Sequence, residues 1–174
     1  MPHFAAALTR GPSGWSGEEL DLKGVEDLDG VVEEMRQYGE DADLQLMFVE
    51  EDDEWFAIVR VGEDGDPRVF LSDGRAMETS ELGALFGEAA AVTDPPEESD
   101  DDDEDGDDDE DEDDDAVQTS GDPVGDPDVL SDLGTPQKRL LELCAEEGQL
   151  PADVISTLCE NAGCLEALDA LRLA

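Results

Sequence analysis

Basic residues are scarce in this chain of 174: nine lysines and arginines stand against 52 aspartates and glutamates, and the formal net charge is -43. A protein that holds nucleic acid by neutralising phosphates needs a clustered cationic face, and nine dispersed cations do not build one. Direct binding to DNA, RNA or an anionic membrane surface is therefore not expected. Histidine occurs once, as His3, and cysteine only three times. No apolar run reaches the ~20 residues of a membrane span. The start, Met1 to Arg10, lacks a basic n-region and carries only about half a signal core. The expectation is a cytoplasmic protein of one or two small domains.

The acids that dominate the composition are unevenly placed. Residues 97–115 hold 17 acids and no base, leaving only Ser99 and Gly106 among them. Such a segment has nothing to bury against the entropy of ordering, so it reads as a disordered linker, with Gly, Pro, Ser and Thr extending the break on both sides. The division expected is an α+β domain over 1–92, an acidic linker over 93–125 and a helical mini-bundle over 126–174. The plain reading of the run is a solubilising spacer. A sharper one is an acidic strand that mimics nucleic-acid phosphates and occupies a basic groove on a partner, with Asp100, Asp101, Asp102, Asp103, Asp107, Asp108 and Asp109 as candidate contacts. The run lacks the Gly and Glu positions of an EF-hand loop.

Before the run, the pattern alternates between strands and helices. Phe4 to Leu8, then Gly11-Pro12-Ser13-Gly14, then Trp15 to Leu20 read as strand, turn and strand. Val25, Leu28, Val31, Val32, Met35 and Tyr38 keep helical spacing, and Gly39 closes the helix. Leu44 to Val49, Trp55 to Val61 and Arg68 to Ser72 read as three strands of an antiparallel meander. The five acids Glu50 to Glu54 between the first two are read as a charged hairpin tip rather than a metal site. A last helix runs from about Ser80 to Ala90 and packs Leu82, Leu85, Phe86 and Ala89. The expected product is about five antiparallel strands with two helices on one face.

After the run, helix punctuation recurs: Asp126-Pro127 to Gly134, Thr135-Pro136 to Gly148, Leu150-Pro151 to Gly163, and Cys164 to Leu171. Leu140, Leu141, Cys144, Val154, Ile155, Leu158, Cys159, Ala162, Leu165, Leu168 and Leu171 form the apolar faces. A bundle of that size has a marginal core, so a partner surface is expected, whether its own N-terminal domain, a second copy or another protein. Leu140, Leu141, Val154 and Leu158 are the candidate contacts.

Catalytic and metal signatures are missing. Cys144, Cys159 and Cys164 lie on apolar faces and read as small buried hydrophobes, and the Cys159-x4-Cys164 spacing is not a usual zinc pair. There is no Gly-rich phosphate loop and no nucleophile elbow, and His3 has no partner that would make it a base. No catalytic residue, cofactor or metal is assigned. Paired carboxylates in an N-terminal cleft would be the one catalytic option, without an evident substrate. Arg68 and Arg75 could hold an anion, although pairing with nearby acids is the simpler account.

Several stretches taken together resemble a known family: Phe4 to Leu8, EDDEWFAIVRVGEDGDPRVFLSDGRA from Glu51 to Ala76, the acidic run, Gly125 to Gly134, and LLELCAEEGQLPADVI from Leu140 to Ile155. In this order they are similar to the actinobacterial tRNA adenosine deaminase-associated proteins, across nearly the whole chain. The resemblance implies a non-catalytic accessory or regulatory protein that partners a tRNA adenosine deaminase or another basic protein, without touching RNA itself. It carries over no site residues. The chain differs from a zinc deaminase itself, which needs His-x-Glu and Pro-Cys-x-x-Cys: here His3 is followed by Phe4 and Ala5, and no cysteine follows a proline. The alternative is an acidic nucleic-acid mimic or chaperone-like protein for diverse basic partners. Self-association of the bundle is a further option.

Overall fold

A computed structural model describes residues 3–39, 42–62, 65–92, 123–146 and 148–173, and the acidic run lies outside them. Six strands form one antiparallel sheet in the order β2-β1-β3-β4-β5-β6. β1 (His3–Gly11) turns into β2 (Gly14–Glu19), and α1 (Leu28–Gln37) then leads to the meander β3 (Leu44–Glu51), β4 (Trp55–Val61) and β5 (Pro67–Leu71). Two helices follow, the short α2 (Ala76–Thr79) and α3 (Glu81–Val92). Beyond the acidic run come β6 (Val124–Gly125), a 3-10 turn at Ser131–Leu133, and α4 (Gln137–Ala145), α5 (Pro151–Ala162) and α6 (Leu165–Arg172).

Five of the six strands are those read from the sequence. The sixth comes from after the acidic run: Val124 pairs with Leu71 and Gly125 with Phe70 at the β5 edge. The charged hairpin tip is also as expected, with Asp52 and Asp53 turning the chain in the left-handed region between β3 and β4. Asp27 caps α1, its carboxylate accepting the Gly30 N–H at 2.8 Å. Gly163, with φ of 85°, ends α5.

Helices cover both faces of the sheet: α1 and α3 share one face, as expected of the first 92 residues, and the helices from after the acidic run cover the other. Ala5, Ala7, Met47, Val49, Ala57, Val59 and Leu71 point to one side, where Val31, Val32 and Met35 of α1 and Phe86 and Ala90 of α3 meet them. The alternate residues Ala6, Leu8, Leu46, Phe48, Ile58 and Phe70 point to the other, where α4, α5 and α6 deliver Leu140, Leu143, Val154, Ile155, Leu158 and Leu168. Each large apolar side chain so buried contributes about 1.5–3 kcal/mol. The partner surface that the small helical segment requires is thus the chain's own sheet.

Gln45 and Thr9 are buried polar residues on the α1 side, and Gln45 makes the closer contact with the helix. Its amide nitrogen donates to the Met35 carbonyl at 2.6 Å, which also accepts the Tyr38 N–H at 3.2 Å, so the side chain ties the end of α1 to β3.

Candidate functional site

The chain's arginines are engaged internally. Arg60 forks onto the Asp132 carboxylate and also donates to the Val129 carbonyl at 2.9 Å. Arg68 bridges to Asp126, Arg75 to Asp73 at 2.8 Å, and Arg139 to Glu142 at 3.7 Å. Arg10 lies over the Trp15 ring at 5.9 Å, and Arg36 donates to the Gly65 carbonyl at 3.3 Å. Arg172 donates to Ser156 Oγ at 2.6 Å and to the Ala152 carbonyl at 3.2 Å while lying over the Phe4 ring. All seven arginines therefore engage groups of this chain, and the surface they leave is dominated by carboxylates. For Arg68 and Arg75, pairing with acids is what the geometry gives, although the Arg68 partner lies 58 residues away.

Electrostatics around these pairs follow from the contacts. Hydrogen bonding from Arg60 holds the Asp132 carboxyl below its ordinary value, and Arg75 does the same for Asp73. Glu50 goes the other way. Its side chain is 18 % exposed, Oε2 has no hydrogen-bond partner, and the nearest guanidinium nitrogen of Arg172 lies 3.9 Å off. Burial raises the Glu50 carboxyl, partly opposed by Arg172 and reinforced by Asp53.

The cysteines take structural positions. Cys159 and Cys164 are buried between the helices and the sheet. The neighbouring Cys164 thiol, together with burial, drives the Cys159 thiol upward. Burial pushes the half-buried Cys144 thiol up to about 12. Thiolates, the reactive form, are disfavoured at Cys144 and Cys159. Among the described residues no group of three or more His, Cys, Asp or Glu side chains could hold a metal ion.

The candidate contacts separate. Leu140, Val154 and Leu158 are fully or almost fully buried against the sheet, whereas Leu141 is 36 % exposed. Leu143, which the helical spacing did not single out, fills the core position instead. Asp100, Asp101, Asp102, Asp103, Asp107, Asp108 and Asp109 lie outside the described residues.

Clefts occur on the α1/α3 side of the sheet. One of about 470 Å³ lies where the Leu22–Val25 turn faces the start of α3, with Leu22, Val25, Leu82 and Leu85 among its walls and His3, Lys23, Glu51 and Glu81 around them. A second, of about 520 Å³, lies beside α1 between Arg36, Gln45 and Gly65. Leu82, Leu85 and Ala89 of α3, read from the sequence as core, are only half-buried, while Phe86 alone of that set is enclosed.

Fold and surface together define a small acidic α+β protein, its sheet closed by helices on both faces and its arginines engaged internally. Residues 3–165 match the model of the family described as Rv3753c-like tRNA adenosine deaminase-associated protein. The chain belongs to that family. No curated protein and no solved structure gave a match. Among the described residues no helix is long and apolar enough to cross a membrane.

Proposed function

We propose that this protein is a non-catalytic accessory of a tRNA adenosine deaminase and that it binds the enzyme rather than the RNA. Membership of the deaminase-associated family carries this reading. The charge supports it physically. An enzyme that handles tRNA needs a basic surface, and a partner of net charge -43 is drawn to such a surface by long-range attraction that speeds encounter. The same charge repels the RNA. Residues 97–115, the densest part of that charge, contribute attraction, and the folded part contributes specificity.

The test is co-purification with the deaminase encoded in the same genome, using the full chain and a variant lacking residues 97–115. Retained binding by the shortened chain, with moderate salt sensitivity, is the expected result. Binding that is promiscuous, collapses in salt and vanishes with the deletion identifies an acidic nucleic-acid mimic instead. No complex with either protein ends the accessory reading.

A further inference from the structure

α3 is unlike the other helices of this acidic chain. Over Glu81–Val92 only Glu81 and Glu88 are polar; the remaining positions are Leu, Ala, Gly, Phe and Val. A helix that is apolar all round belongs in an interior, because a surface helix needs only one apolar stripe. α3 has a single side to bury: Phe86 and Ala90 enter the core against the sheet, and Gly83 and Gly87 admit close contact with Ala76 and Met77. Leu82, Leu85 and Ala89 lie at the margin of that core and remain half-buried, and Leu82 and Leu85 continue into the cleft of about 470 Å³ whose far wall is Leu22 and Val25. One continuous apolar strip thus runs along the helix and into the groove at its start.

We propose that this strip is a protein-docking surface and that its occupant is an amphipathic segment of a basic protein, with leucine-like side chains facing the groove and lysines or arginines flanking them. The proposal rests on the reading that the partner is basic. Charge complementarity selects the occupant. Glu78, Glu81 and Glu88 are exposed on or beside α3, Glu51 and Glu81 line the groove against one cation there, Lys23, and the run of 17 acids begins five residues after α3 ends. A second copy of this chain would bring the same carboxylates against one another, at a cost that a basic segment avoids. The apolar strip supplies close-packed anchoring and the surrounding acids supply steering and register.

Hydrogen exchange on the full chain, with and without a synthetic Leu/Lys amphipathic peptide, tests the surface. A counterpart peptide with serine in place of leucine reports charge alone. The Leu/Lys peptide is expected to bind about tenfold more tightly than the Ser/Lys peptide and to protect α3 and the 22–25 turn. Leu82→Glu with Leu85→Glu is expected to erase the difference while leaving the weaker charge-driven binding. Protection that falls on other elements overturns the proposal, as does a peptide preference that survives the glutamates. A concentration-dependent dimer of the wild-type chain that the same glutamates dissociate assigns the strip to self-association and overturns it too. Exchange on the unmodified chain decides the matter even if the glutamate variants fail to fold. A parallel titration with the purified deaminase separates the two readings: failure of the wild-type chain to bind it removes the accessory role, whereas binding that is indifferent to the glutamates removes only this surface.

Discussion

Arg60 and Arg68 face each other directly across β4 and β5, and each guanidinium is taken by a carboxylate from the segment that follows β6, Asp132 for Arg60 and Asp126 for Arg68. Like charges opposite one another in a sheet repel. The two aspartates turn that repulsion into the fastening that holds the start of the C-terminal segment on the sheet. Asp126 also accepts the Asp128 N–H at 2.9 Å, so it organises the turn as well as the charge. Asp126→Ala is expected to lower stability by about 2 kcal/mol, the loss of a charged hydrogen-bond acceptor beside a cation. Urea unfolding checks it through a reduced midpoint at unchanged slope, and a cycle with Arg68→Ala isolates the pair.

Opposite pH responses are expected at Glu50 and Asp132. The Glu50 carboxyl is raised in the folded state, so its ionisation opposes folding above the folded value, and that penalty fades as pH falls to the ordinary 4.5. Glu50→Gln should therefore stabilise the protein by about 1 kcal/mol at neutral pH and by nothing below its ordinary carboxylate range. Asp132 is depressed by Arg60, so its contribution is present above the ordinary 3.8 and is lost as pH falls through the lower folded value. Asp132→Asn narrows the acid limb of the stability profile. Urea melts at several pH values, comparing each variant with the parent chain, measure both.

Two neighbouring leucines on α4 provide a packing test. Leu143 is 2 % exposed and Leu141 36 %. Leu143→Ala is expected to cost about 2–4 kcal/mol by leaving a cavity, whereas Leu141→Ala stays within about 0.5 kcal/mol. Thermal unfolding of the two variants decides it.

Gly125 sits at φ of 103°, and a Cβ there would come within 2.2 Å of the Val69 carbonyl oxygen. Gly125→Ala has to move either β6 or β5. Loss of about 2 kcal/mol or more is expected from combined strain and overpacking. Hydrogen exchange should show the fastest opening at the β5 edge.

Thiol chemistry should follow burial. At neutral pH, alkylation of Cys144, Cys159 and Cys164 is expected to be slow in the native protein and rapid in denaturant, counted by mass.

The strands were legible because their residues say so twice. Leu44 to Val49 and Trp55 to Val61 alternate, yet both members of each alternation are apolar, as in Leu46-Met47-Phe48-Val49. Continuity of that kind means burial on both faces, and only the exposed side of a one-sided sheet would have been polar. The hidden element was the cover: its helices follow the acidic run, and no local rule connects α5 to β3 across about a hundred residues. β6 was illegible for a related reason, since two residues have no periodicity and pair only because Asp126 and the buried Val129 and Leu130 fix them at the β5 edge. On α4, Leu140-Leu141-Cys144 and Leu140-Leu143-Cys144 are equally good helical stripes. The neighbour decides, and the neighbour is a sheet the helix meets only in the folded chain. Of the candidate contacts, spacing found the leucines but could not tell an inner face from an outer one, as the buried Leu140 and the exposed Leu141 show.

β6 pairs with β5, and β5 also packs against α3, so the chain enters and leaves residues 93–122 at one edge of the same sheet. Those thirty residues therefore close a loop on a single body instead of spacing two bodies apart. The entropy of closing a flexible loop rises only logarithmically, about 0.6 kcal/mol for each doubling in length. Length between α3 and β6 is consequently cheap for the fold, and the same scaffold accommodates a longer or a shorter connection there.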